Sequence, residues 1–256
     1  MVSACRSSDR QENITLQKFS KGAAASWAAA QAMYLGMRKV PLSFWDVGAR
    51  GGLSRPMKVL YRCGVIVPTF FEPDPTEASR LKQSYKYSTV FNCALSDEDG
   101  NATLYLAREP GCSSLLRPGD LIDIEIVDTQ TVPVMRADTL LAASEPGRHP
   151  EMLKLDVQGG ELAVLKGFGD FLNGVTCIET EVSLRKIYEE QPLIEAVTEF
   201  LMDNGFGLVD LRVFGVRSSR AAVQANAFFV RQELRREREK AVERVFRSIN
   251  RISLVV

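Results

Sequence analysis

From Phe44 onward, short apolar runs alternate with stretches of helical period, and this alternation constrains the fold more than any other feature. "SFWDVG", "VIVPTFFEP", "TVFNCALSD", "EMLKLDVQ" and "GVTCIETEV" read as strands. "LSRPMKVLYRCG", "DPTEASRLKQSY", "GELAVLKGF" and "PLIEAVTEFLMDNG" read as the helices that follow them, with Pro75 in a first turn and glycine as the usual stop. "FGLVDLRVF" and "NAFFVRQ" close the pattern as two β-rich runs. Repeated right-handed β–α–β crossovers produce a mainly parallel sheet with helices on both faces. The expected fold class is therefore α/β, a doubly wound, mainly parallel sheet of seven strands.

Other segments stand outside this pattern. Between about residues 100 and 137, "NATLYLAR" and "TQTVPVMRA" read as a β-hairpin excursion, and the joining loop "EPGCSSLLRPGD" is a lid candidate because long loops in compact domains are often functional. Residues 1–43 form an N-terminal segment whose "GAAASWAAAQAMYLGM" is too short and too weakly apolar to span a bilayer or serve as a secretory signal. A helix packed on the domain is expected there, with the main domain over 44–231. Over 232–256, Leu234, Ala241, Val245, Ile249 and Ile252 draw an apolar stripe along an expected C-terminal helix. That helix could dock on its own domain, pair two copies as a homodimer, or touch anionic lipid from the membrane surface.

Thirty-two basic and thirty-two acidic residues cancel over 256 positions, so no global positive field favours nucleic acid. Five scattered cysteines without a CxxC pair read as free thiols in a reducing compartment, and a cytoplasmic protein is expected.

The parallel pattern brings the strand C-terminal ends to one edge, where ligands bind in such sheets. Carboxylates recur there: Asp46, Glu72, Asp97 and Asp156 close four runs, and Glu179 and Glu181 lie on the fifth. In "FWDVGARGGLS", Gly48, Gly51 and Gly52 follow Asp46, where a backbone must turn or let a ligand approach. Glu72 lies roughly twenty residues further on, the spacing of an acid that grips a ribose diol. A nicotinamide dinucleotide would want G-x-G-x-x-G and a phosphate site, whereas this turn is G-x-x-G-G beside an acid. S-adenosylmethionine, with a sulfonium and an ammonium group and no phosphate, suits an acid-lined edge better. A nicotinamide-dependent oxidoreductase and a non-catalytic cofactor-binding domain stand as the alternatives.

"DVGARGGLS", "FEPDP", "NCALSDEDG", "SSLL" and "LKLDVQGGELAVLKG" occur in the order and spacing of the FkbM-type S-adenosylmethionine-dependent methyltransferases, which the chain resembles from about Phe44 to Arg231. The resemblance implies a Rossmann-like sheet of the class I methyltransferase type and S-adenosylmethionine as cofactor. It implies that Asp46, Gly48 and Gly51 contact the aminoacyl end of the cofactor, with Arg50 counted beside them although the family pattern more often has Asn there. It places Glu72 on the ribose, Ala94, Leu95 and Asp97 along the adenine, and Asp156 toward the sulfonium and the acceptor. "DVQGGE" stands where the family pattern has "DVEGAE", so Gln158 replaces an acid. The implied chemistry is O-methylation of a sugar, a glycan or a small secondary metabolite.

An alcohol needs its proton removed as it attacks. The single histidine, His149, precedes the fourth strand by about seven residues from Asp156, or on the order of 20 Å, and so falls at the wrong edge. Asp156 is the first candidate base and Glu181 the second, while Glu161 at a helix start could serve only the helix dipole. Lys154 shares a strand face with Asp156 and completes the catalytic set; Asp46 or Glu179 is its expected partner. A metal shared by Asp156 and Glu181 would have no histidine in reach, and none is assigned.

Overall fold

The computed structural model describes residues 41–143, 149–215 and 222–232. The N-terminal and C-terminal helices expected from the sequence lie outside the described residues. The elements run in the order β1 (Leu42–Val47), α1 (Arg55–Arg62), β2 (Ile66–Phe71), α2 (Pro75–Ser84), β3 (Thr89–Phe91), β4 (Ala94–Ser96), β5 (Gly100–Ala107), β6 (Ile126–Arg136), α3 (Ala137–Ala142), β7 (Met152–Leu155), α4 (Glu161–Gly167), β8 (Cys177–Ser183), α5 (Ile194–Asp203), β9 (Phe206–Gly215) and β10 (Ala222–Arg231).

Seven strands form one sheet in the order β3-β2-β1-β7-β8-β10-β9. The first five are parallel, and β10 is antiparallel to both of its neighbours. The strand order reverses at β1, so the ends of β1 and β7 open the crevice where a doubly wound sheet takes its ligand. This is the Rossmann-like arrangement expected of a class I methyltransferase.

Alternation along the strands divides the core into two layers. Trp45, Val47, Leu153, Leu155 and Ile178 pack on one face with Leu141 of α3, Val164 and Leu165 of α4, and Val197 and Leu201 of α5. Leu42, Phe44, Phe70, Met152 and Cys177 pack on the other with Met57 and Leu60 of α1 and Leu81 of α2. α2 starts where expected: Pro75 opens its first turn and the Asp74 side chain accepts from the N–H groups of Thr76 and Glu77. Cys63, Cys93, Cys112 and Cys177 are free thiols. Among the described residues no helix is long and apolar enough to cross a membrane.

One run departs from its expected form. "TVFNCALSD" reads as one strand but makes two. β3 joins the main sheet beside β2, whereas β4 pairs parallel with β6 in a separate sheet of order β4-β6-β5. Asn92 sits at the break, and its side-chain amide donates to the carbonyls of Glu72 and Pro73. Asp97 therefore follows β4 of the small sheet and does not end the third strand of the large one. The β5–β6 hairpin expected from the sequence is present, with Leu104 opposite Gln130 in antiparallel register.

Candidate active site

The strand ends of β1 and β7 fix the site's floor. Gly48 has φ +77°, and a Cβ there would fall 1.9 Å from the main-chain oxygen of Asp156, so only glycine lets the two strand ends meet. The Gly48 N–H donates to the Phe71 carbonyl at 3.0 Å and ties in the end of β2 as well. Above this junction lies a cavity of about 220 Å³. Gly48, Arg50, Glu72, Ala94, Leu95 and Asp156 all line it. Gly51, Asp46 and Asp97 do not, although they belong to the same neighbourhood of the chain.

The charged groups on the β1–β2 side are paired. The buried Glu72 carboxylate accepts the Asp74 N–H at 3.0 Å. Burial raises it from its ordinary 4.5 to about 7. Arg50 bonds Asp74 at 2.6 Å, and the Gly51 N–H donates to Glu77 at 2.6 Å. The backbone donor that a pyrophosphate would seek in this turn is thus already committed to a carboxylate. The carboxylate acceptors at the cavity, Glu72 and Asp156, fit a ligand rich in hydroxyl and ammonium groups.

The roof of the cavity comes from the excursion. Pro110, Gly111 and Ser113 to Leu116 lie over it. This loop is stitched down. Ser114 exchanges backbone hydrogen bonds with Tyr105 and its hydroxyl donates to the Gln158 carbonyl at 2.7 Å. The Gly119 N–H donates to the Ile187 carbonyl, and the Glu189 N–H to that of Arg117. The lid candidate of the sequence is in this form a closed roof, anchored on the segment after β8.

On the other side of Asp156 the charges lie in a row. Asp46, Lys154 and Glu179 stand in register across β1, β7 and β8. Lys154 Nζ lies 3.2 Å from Asp46 and 3.4 Å from Asp156, so it bonds one of its two expected partners and, in addition, the acid on its own strand face. Burial alone would depress the Lys154 ammonium, but Asp46, Asp156 and Glu179 overcome this and hold it above its ordinary value. Burial raises Glu179 to about 7 and Glu181 to about 8, the charge of Asp156 adding to the second.

Gln158 joins the two candidate bases. It has φ 56°, a left-handed conformation uncommon for a residue with a side chain. Its amide donates to Asp156 Oδ1 at 2.9 Å and to Glu181 Oε2 at 3.1 Å. Glu161, at the start of α4, accepts the N–H groups of Val157 and Gly159 and so closes the turn that carries Gln158. His149 contacts the Phe171 ring before β7, away from these groups. Among the described residues no group of three or more His, Cys, Asp or Glu is arranged to hold a metal ion.

The sequence reading did not single out Gln224 on β10, which donates to Glu181 Oε2 at 2.6 Å, or Tyr188, whose hydroxyl lies 3.0 Å from Gln158 Oε1. Gln224 carries no signal on its own, because only strand register shows that it neighbours Glu181.

Sheet order and an acid-lined crevice at its reversal point are the features expected of a Rossmann-like methyltransferase. The family description "Methyltransferase FkbM domain" matches residues 46–208, and the chain belongs to this FkbM methyltransferase family. It is a methyltransferase, and S-adenosylmethionine is its methyl donor. No curated protein matches the chain. Among solved structures it is similar to magnesium protoporphyrin IX methyltransferase from Synechocystis PCC 6803 with bound SAM, at 13% identity over 90% of this chain and 86% of that one, with a TM-score of 0.43. It is also similar to 1,6-didemethyltoxoflavin-N1-methyltransferase from Burkholderia thailandensis, at 13% identity over 90% of this chain and 93% of that one, with a TM-score of 0.39.

Proposed function

We propose that the chain methylates a hydroxyl of a sugar, a glycan or a small secondary metabolite. The observation that supports this most is the pairing of Asp156 with Glu181 through Gln158 at the edge of the cofactor cavity. Glu72 would hold the ribose hydroxyls, Ala94 and Leu95 would flank the adenine, and the turn around Gly48 and Arg50 would take the aminoacyl end. S-adenosylmethionine supplies a methyl group on a positively charged sulfur that leaves as a neutral thioether when an oxygen attacks in line.

The chain's own task is then to orient the hydroxyl and receive its proton. Glu181 accepts that proton in this reading: Gln158 ties it to Asp156, and because burial lifts it to about 8 the fraction ionised near neutral pH is the stronger base. Asp156, which lines the cavity, orients the hydroxyl. Lys154, bonded to Asp46 and Asp156, keeps Asp156 in place and neutralises the row behind it. The reading of the sequence favoured Asp156 as base and Glu181 second; the proposal reverses that order.

The test is release of S-adenosylhomocysteine with a panel of sugars. Glu181→Gln is expected to lower turnover by roughly 10²–10⁴-fold, the usual contribution of a positioned base. His149→Gln should leave it unchanged. Full turnover in Glu181→Gln would remove Glu181 from the reaction.

A further inference from the structure

Glu181 is held by two amides on a single oxygen. Gln158 Nε2 at 3.1 Å and Gln224 Nε2 at 2.6 Å both donate to Oε2. Among the described residues no donor is bonded to Oε1. The two amides come from separate parts of the fold, Gln158 from the turn after β7 and Gln224 from the antiparallel strand β10. On β10, Asn226 stands directly opposite Glu181, and Gln224 lies two residues away on the same face.

Gln158 cannot turn away. One hydrogen of its amide goes to Glu181 and the other to Asp156 Oδ1 at 2.9 Å. Its Oε1 faces the Tyr188 hydroxyl at 3.0 Å, and its main-chain carbonyl accepts from Ser114. The Tyr188 hydroxyl lies as close to the Cys112 carbonyl, at 3.0 Å, and its one proton serves one of the two acceptors, so it is the two amide donors of Gln158 that are both engaged. The reversed amide would set an oxygen against two carboxylates, so the orientation is fixed by charge.

We propose that Gln158 and Gln224 are positioning residues for methyl transfer: by occupying Oε2 of Glu181 they present Oε1 to the acceptor hydroxyl. This rests on Glu181 as the proton acceptor. Two N–H groups on one oxygen draw negative charge toward it and fix the carboxylate plane, so an incoming proton settles on the other oxygen. Burial reduces the ionised fraction of Glu181 near neutral pH, and the amides oppose that by favouring the ionised form. Lysine or arginine in their place would do so with a full charge and lower the basicity too far. Glutamine supplies the donors and no charge.

Gln224 is partly exposed and does not line the cofactor cavity, so Gln224→Met is the primary variant. The Glu181 carboxyl is followed by carbon-13 NMR of protein labelled at glutamate side chains, with calorimetry of S-adenosylmethionine as the control. The expected result is an upward move of the Glu181 titration by about one pH unit, the size of one lost bond to a charged group. S-adenosylmethionine affinity stays within about twofold, and transfer to the sugar panel at pH 7 falls about tenfold and recovers as pH rises. Gln158→Met should move the same titration in the same direction. An unmoved Glu181 titration in Gln224→Met overturns the proposal even if Glu181→Gln is inactive. Parallel loss of transfer and cofactor affinity in Gln224→Met overturns it too, by making the residue structural. Full turnover in Glu181→Gln instead overturns the reading of Glu181 itself.

Discussion

The carboxylates on the β1–β2 side of the cavity and those on the β7–β8 side are treated oppositely by the fold. On the first side, permanent donors surround them. Glu77 is held down to about 2, chiefly by its bonds to Arg80 and then by the Gly51 N–H. Burial pushes Asp74 up, but Arg50 and the N–H groups of Glu77 and Thr76 outweigh it and keep Asp74 below the usual carboxylate range. On the second side, burial dominates and Glu161, Glu179 and Glu181 rise to about 7, 7 and 8. Acids that stay charged can grip a ligand; acids that titrate near neutrality can change charge during a reaction. Glu72 stands between them, facing the cavity with the binding set yet raised to about 7 by burial.

The row on the β7–β8 side offers the largest test of this contrast. Lys154→Met removes the cation between Asp46 and Asp156 and leaves Asp46 buried beside an apolar chain. Removal of one partner from a buried pair costs about 3–5 kcal/mol, and the partial exposure of Lys154 places the expected loss near the lower figure, about 3 kcal/mol in urea unfolding. The Lys154 contribution is fully present below the ordinary lysine value of 10.5 and fades as pH rises above it, because its folded value is the higher one. A loss under about 1 kcal/mol at pH 7 would show that the row is no more than a surface pair.

Next in size is the binding side. Glu72→Ala is expected to weaken S-adenosylmethionine by about 1.5–3 kcal/mol in calorimetry, the range for hydrogen bonds to a charged group. Since the folded acid keeps its proton up to about 7, wild-type affinity should climb between pH 6 and 8, and Glu72→Gln should flatten that climb. A flat wild-type profile would separate Glu72 from the ribose. The smallest effect belongs to Arg50, whose bond to Asp74 is partly exposed. Arg50→Met should cost no more than about 1 kcal/mol of stability, and a larger loss would make that pair part of the core and blur the contrast.

Much of the parallel sheet was legible in the sequence because apolar runs ending in glycine or an acid mark where strands leave the core. Asp46, Gly48, Glu72 and Asp156 could be placed at one edge on that ground alone. Contacts between distant segments were not legible. Nothing in "TVFNCALSD" marks the switch of sheets at Asn92, because its apolar spacing is the same on either side of the break. The loop "EPGCSSLLRPGD" has the composition of a mobile lid, yet it is anchored by backbone bonds to residues 187 and 189 and by the hydroxyls of Ser114 and Tyr188, on partners that only the fold brings together. Gln224 lies among alanines in a run that reads only as a buried strand, and its role depends on pairing with residues some forty positions away. The partner of Lys154 was narrowed to two acids by strand order, and geometry then chose Asp46 and added Asp156.

The pairing of β4 with β6 gives the cavity wall that carries Ala94 and Leu95 a folding history. Ala94 and Leu95 line the cavity, but the strand that carries them is held by Val134 and Met135, across the whole excursion. A parallel pairing over that separation pays loop-closure entropy before any contact repays it. β1 and β2, by contrast, pair through one short crossover, Asp46 opposite Phe70. The Glu72 end of the pocket is therefore expected to form from nearby segments, ahead of the opposing wall, which needs the excursion to close on itself.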